Sequence, residues 1–258
     1  NPIGLVDNCT FYNSRVSSTH SYLINNPSWA EPLGLGTNNA IYVEDNIFYD
    51  TSGTTINCID SNYGGRYVFR FNTTYDVSLD NHSVQGTHRG SRSWEIYNNQ
   101  INQKNYTSWN VGMMRAGTGV IFNNNIAGTY SVYGFSVDNI RSCYDRGDGG
   151  FCDGQSPWDG NEEGHAGYPC RDQIGRSTDA WLWTDENPYP PQILEPAYIW
   201  NNRYGNQPVI FFKHSCDQSK IHIQENRDYY NEAVTFDGSR GVGVGGIVDR
   251  PSTCTTGV

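Results

Sequence analysis

Between residues 43 and 48 the chain reads VEDNIF, and its side chains alternate. Val43, Asp45 and Ile47 fall on one face of an extended strand, and Glu44, Asn46 and Phe48 on the other. Short apolar-aromatic runs of this kind return at 68–76, 94–102, 120–128 and 198–206, each meeting an Asn. The runs are too short for helices and keep a period of two, so they predict short strands ended by turns. Helical repeat arrays fit this pattern poorly.

The Asn residues themselves keep a period. Taking each Asn that lies two residues before a β-prone residue selects Asn8, Asn46, Asn72, Asn99, Asn124, Asn202 and Asn226, at spacings of 38, 26, 27, 25, 78 and 24. We read 78 as three repeats and 38 as one repeat plus a loop. A period in the twenties predicts a solenoid whose coils bury their apolar side only by stacking on one another. Asn suits the tight corners because it tolerates left-handed backbone, and stacked amides can bond from coil to coil about 4.8 Å apart.

The segments VEDNIF, VFRFNTT, RSWEIYNNQI, GTGVIFNNNI and YIWNNRY carry a resemblance to the right-handed parallel β-helix (pectate-lyase-like) family of secreted bacterial and phage proteins, over most of 1–140 and 191–235. It implies an all-β, right-handed parallel β-helix solenoid. The fold hosts lyases, hydrolases, adhesins and tail-spike modules alike, so the resemblance is specific for architecture and not for activity. The expected organisation is one structural domain: coils over 1–140, a long disulfide-held loop over 141–190, and further coils with a C-terminal segment over 191–258. No amphipathic helix precedes Asn8. Further coils or another copy of the chain are therefore expected to cover the open ends.

The net charge of −10 argues against nucleic acid and anionic membrane surfaces as partners. No apolar run reaches the roughly 18–20 residues of a membrane helix. Low charge with abundant Asn, Gly, Ser, Thr and 18 Tyr suits an extracellular or cell-surface β protein. Seven Cys favour an oxidising compartment. Sequons at Asn8, Asn72, Asn81 and Asn105 are candidate glycosylation sites.

From 141 to 190 the pattern fails, and Gly, Asp and Pro dominate. Three Cys fall in this stretch; Cys152–Cys170 is the first expectation for a disulfide and Cys143–Cys152 the second. Closing such a loop contributes about 3 kcal/mol. Asp145, Asp148, Asp153, Asp159, Glu162 and Glu163 offer the hard oxygens that Ca²⁺ prefers, without EF-hand spacing; solvated turns are the competing reading. Trp109, Trp158, Trp181 and Trp183 are candidate sugar-stacking rings, because a flat ring matches the C–H face of a pyranose.

The chain has no GxSxG, HExxH, phosphate loop or paired CxxC. Its richest polar stretch, residues 80–95, holds Asp80, His82, His88, Arg89 and Arg92. Outward positions of neighbouring coils align in columns, so Asp60, His82, Arg92, Arg115 and Asp138 are expected to approach one face as a catalytic group. Uronate elimination needs a cation for the sugar carboxylate, a base for the C5 proton and stabilisation of the enolate-like charge. Hydrolysis needs two carboxylates instead, for which Asp60, Asp80 and Asp138 are candidates. The expected function is recognition or processing of a polysaccharide, with a lyase as the leading enzyme class. The alternative is a non-enzymatic filament, fibre or adhesin module.

Overall fold

A computed structural model describes residues 3–20, 29, 33–53, 56–83, 89–103, 110–128, 133–143, 151–156, 159–176, 192–208, 211–213 and 217–231. Among them the chain winds through repeated coils of three strands. The first coil holds β1 (Gly4–Asp7), β2 (Thr10–Tyr12) and β3 (Val16–Thr19), and the second β4 (Ile41–Glu44), β5 (Ile47–Tyr49) and β6 (Ile56–Asn62). The third holds β7 (Arg66–Arg70), β8 (Thr73–Tyr75) and β9 (Val77–Asn81). The fourth follows with β10 (Ser93–Tyr97), β11 (Gln100–Gln103) and β12 (Asn110–Met114), and the fifth with β13 (Thr118–Phe122), β14 (Asn125–Gly128) and β15 (Tyr133–Val137). Then come β16 (Ala197–Trp200), β17 (Arg203–Tyr204), β18 (Gln207–Pro208), β19 (Phe211–Lys213) and β20 (Tyr229–Asn231).

Equivalent strands stack into three sheets, ordered β1-β4-β7-β10-β13-β16-β20, β2-β5-β8-β11-β14-β17-β18 and β3-β6-β9-β12-β15-β19. These pairings are parallel except β17 with β18. The chain visits the other two sheets before returning to the first, an arrangement compatible with a parallel β-helix solenoid. Register then puts like on like. Val6, Val43, Phe69, Ile96, Ile121 and Ile199 form one column of the first sheet. They meet Phe48, Ile101 and Ile126 of the second sheet and Ile59, Leu79 and Val137 of the third in a common core. Each such side chain stabilises the stack by about 1.5–3 kcal/mol. Trp94 fills the space of two rungs because Gly119 lies opposite it in register.

The Asn pattern becomes a hydrogen-bonded column. The backbone N–H of Asn46 donates to Oδ1 of Asn72 at 3.0 Å, that of Asn72 to Asn99 at 2.9 Å, that of Asn99 to Asn124 at 3.1 Å and that of Asn124 to Asn202 at 3.1 Å. Each Nδ2 of these rungs donates onward as well, for example from Asn124 to Asn202 Oδ1 at 2.8 Å and to the Ile96 carbonyl at 3.0 Å. The residue before each rung, not the rung itself, carries left-handed backbone: Asp45, Phe71, Asn98, Asn123 and Asn201. That accounts for the doubled Asn at 98–99, 123–124 and 201–202, the first Asn for the bend and the second for the column.

Asn8 and Asn226 stand outside the column. Asn8 is itself the left-handed residue, and Cys9 occupies the rung, its N–H donating to Asn46 Oδ1 at 2.9 Å. Asn226 lies in the exposed turn before β20, where its N–H donates to the Tyr229 carbonyl. Spacing alone slips by a residue at the first and confuses a turn with a rung at the second.

The spacing of 78 is also one coil, not three. β13 pairs directly with β16, so Asn202 sits next to Asn124 across a long excursion between β15 and β16. That excursion carries α1 (Ile140–Cys143), a 3-10 turn at Glu162–Gly164 and the disulfide Cys152–Cys170, whose Cα atoms are 5.8 Å apart. Cys143 is disulfide-bonded too. A second helix, α2 (Asp217–His222), follows β19. A buried ion pair, Arg89 with Asp172, ties the excursion to the coils, with Trp29 stacked 4.9 Å from the guanidinium. The shorter excursion between β3 and β4 lays Leu33, Leu35 and Ala40 over the outer face of the first sheet, against Tyr42, Val68 and Val120.

Two sequons fall on buried side chains, which corrects their reading as glycosylation sites. Asn72 is a column rung, and Asn81 accepts from the Tyr67 hydroxyl at 2.9 Å. A glycan on either would require the side chain to leave the core. Asn8 is exposed, and Asn105 lies outside the described residues.

Candidate functional site

The outer face of the third sheet gathers the chemistry. Register aligns Ser17 of β3 with Asp60 of β6 and Asp60 with Asp80 of β9. Ile59 and Leu79 point into the core, so alternation turns both carboxylates outward. Arg15 stands just before β3, His82 just after β9 and Arg115 just after β12. Four successive coils thus contribute to one cluster.

His82 joins the two acids. Its Nε2 lies 3.0 Å from Asp60 Oδ1 and 3.4 Å from Asp80 Oδ2. Arg15 pairs with the other oxygen of Asp60 at 2.8 Å, and Arg115 pairs with Asp80. Arg115 also approaches His82 Nδ1 at 3.5 Å, which assigns the ring proton to Nε2. The hydrogen bond from His82 holds the Asp60 carboxyl below its ordinary value against the opposing pull of burial, with Arg15 and Arg115 adding to the lowering. Asp60 is therefore an ionised base at neutral pH. The two acids are 14% exposed, whereas Arg15 is 55% exposed.

Beside the cluster lies a cleft of 330 Å³ lined by Asn13, Ser14, Arg15, Ile56 and Asn57. Asn57 links the two: its Nδ2 donates to Asp80 Oδ2 at 3.3 Å and its Oδ1 accepts from Ser78 at 2.6 Å. The chain enters the cleft from Tyr12, the end of a stack of rings. Tyr12 and Tyr49 have centroids 5.2 Å apart, Tyr49 and Tyr75 4.7 Å, with planes within 11°. Stacked rings occupy each other's faces, and Tyr12, at the end of the stack, is 61% exposed.

Of the five residues expected to converge, Asp60, His82 and Arg115 do so, with Asp80 and Arg15 completing the group. Arg92 and Asp138 do not. Arg92 donates to the Trp29 carbonyl at 3.2 Å, stacks on the Trp29 ring and reaches Glu195 at 3.4 Å. It precedes β10, on another side of the coil. Asp138 is buried and accepts from the Ser219 hydroxyl at 3.4 Å. Arg15 escapes notice in the sequence because its partner is set by the pairing of Ser17 with Asp60, across an excursion no period predicts.

Trp109, Trp158, Trp181, Trp183, His88, Asp145 and Asp148 lie outside the described residues, as does the side chain of Glu163. The other acids considered for Ca²⁺ have protein partners. Asp159 pairs with Arg141 at 3.0 Å, Glu162 with Arg176 at 3.4 Å, and Asp153 accepts from the Gln155 N–H. Comparison of the chain with protein-family models, curated proteins and solved structures gave no match.

Proposed function

We propose that this chain is a secreted, right-handed parallel β-helix protein of the pectate-lyase-like type that binds polysaccharide along the third sheet and cleaves it by elimination at a uronate residue. The observation that carries this reading is the sharing of His82 between Asp60 and Asp80, beside a cleft that presents Arg15. Arg15 is the exposed cation for the sugar carboxylate. Asp60, held ionised, takes the C5 proton; the C5–H electrons form the C4=C5 double bond as the C4–O bond breaks. His82 Nε2 steadies Asp60 and Asp80, the departing oxygen takes its proton from solvent water, and Arg115 offsets the charge remaining on Asp80. The exposed face of Tyr12 extends the binding surface, and the disulfides favour an oxidising, extracellular location.

The test is ultraviolet absorbance of the unsaturated product over a panel of uronate polysaccharides. Activity that Asp60→Asn abolishes supports the reading, and no absorbance rise with any member of the panel rejects it. A second reading also has an observation in its favour. The contacts Arg15–Asp60–His82–Asp80–Arg115 bridge four coils, as a clamp in a structural or adhesive module would. A clamp predicts that His82→Ala lowers stability with no activity to lose.

A further inference from the structure

The long excursion between β15 and β16 holds a second cluster that polysaccharide chemistry does not use. Cys152, Cys170 and His222 are all buried, and their two sulfurs and one ring nitrogen lie within 4.8 Å of one another. We propose that these three side chains form a soft-metal site that takes Zn²⁺ when the Cys152–Cys170 bond is reduced. The disulfide and the metal would then be alternative cross-links for the same fold of the excursion.

The surroundings of His222 prepare it as a ligand. Its Nε2 donates to the Ala166 carbonyl at 2.9 Å, which leaves the Nδ1 lone pair facing the sulfurs. The Gln218 amide, 3.1 Å from Nε2, suits this tautomer with its oxygen turned to the ring. Nδ1 now accepts from the Ser142 hydroxyl at 2.8 Å and lies 3.9 Å from Cys170 Sγ. Zn–S and Zn–N bonds of about 2.3 and 2.05 Å at a tetrahedral angle put sulfur and nitrogen about 3.6 Å apart, so little movement of the ring is needed. The Asn139 amide reaches Cys152 Sγ at 3.9 Å and would support a thiolate there.

The sulfurs must separate from about 2.05 Å to about 3.8 Å, which side-chain rotation provides across Cα atoms 5.8 Å apart. A phosphine reductant supplies two electrons and, with water, becomes the phosphine oxide while the disulfide becomes two thiols. Metal binding then expels both thiol protons to solvent and makes two Zn–S bonds and one Zn–N bond. The Ser142 hydroxyl, displaced from Nδ1, supplies an oxygen for the fourth position.

Cobalt(II) titrated anaerobically into the phosphine-reduced chain tests the site. The expected result is one equivalent bound with sulfur-to-cobalt charge-transfer bands, displaced by Zn²⁺. His222→Gln should weaken binding at least about 100-fold while leaving the circular dichroism of the oxidised protein unchanged. Cys152→Ser with Cys170→Ser should abolish the bands, and Cys143→Ser should leave them intact. If reduction unfolds the chain, recovery of its spectrum on adding Zn²⁺ supports the site and failure to recover overturns it. The proposal also falls if reduced, folded protein binds no cobalt, or binds it equally well in His222→Gln or in the double serine variant.

Discussion

Asn99→Ala removes the middle rung of the amide column. The Asn99 side chain accepts from the Asn72 backbone N–H at 2.9 Å and from Asn72 Nδ2 at 3.2 Å. It donates to the Phe69 carbonyl at 3.0 Å and to Asn124 Oδ1 at 2.9 Å. Asn72 Nδ2 retains the Val43 carbonyl, and Asn124 Oδ1 retains the Asn99 N–H, but the Asn72 N–H loses its acceptor in a fully buried place. An orphaned buried donor costs about 1–3 kcal/mol. The weakened Phe69 carbonyl and the amide-sized void bring the expected loss to about 3–5 kcal/mol. Asn125→Ala is the control: its amide bonds Gln100 at 2.9 Å on the exposed face, so its loss should cost less than about 0.5 kcal/mol. Urea unfolding followed by circular dichroism compares the two. Asn99→Asp adds a sign to the test, since it keeps the acceptor but buries a charge. Burial raises its folded-state pKa, so its stability relative to the parent is best below the ordinary carboxylate value of about 3.9 and is lost as pH rises from there. Equal unfolding midpoints for Asn99→Ala and Asn125→Ala would refute the column as a source of stability.

Three further outcomes follow from the same geometry. Arg70 and Glu44 form a fully buried pair, so Arg70→Met alone should cost about 3–5 kcal/mol, and adding Glu44→Gln should recover much of it in a double-mutant cycle. Asp60 has a lowered folded-state pKa, so its contribution is complete above about 3.9 and disappears as pH falls through the lowered value; the thermal-midpoint gap between parent and Asp60→Asn should close on acidification. A gap that stays constant with pH would contradict the His82–Asp60 bond. Gly119→Ala would place a Cβ against the Trp94 carbonyl and 2.6 Å from its ring, so the variant should lose at least about 1–3 kcal/mol in chemical unfolding, whereas Gly205→Ala meets no atom within 4 Å and costs only its backbone strain.

Much of the architecture was already legible in the residue order. Five rungs, Asn46, Asn72, Asn99, Asn124 and Asn202, announce themselves because a stacked coil demands the same residue type at the same place in every turn. The alternation around them assigns the core face, and Cys152–Cys170 was the first expectation for the disulfide. These features repeat or lie close in sequence, so local pattern carries them. The candidate site was half legible. Asp60, His82 and Arg115 stood out by residue type, but their separation from Arg92 and Asp138 did not.

What the tertiary structure alone decided is vertical alignment across the excursions. Asn202 lies against Asn124 rather than three coils away, Cys9 takes the rung that spacing assigns to Asn8, and Arg15 meets Asp60 from a different coil. No rule of periodicity passes through a stretch of arbitrary length. Which strand follows which in the stack is settled by where the apolar columns close and where buried amides and charges find partners, and those conditions exist only once the coils are in contact.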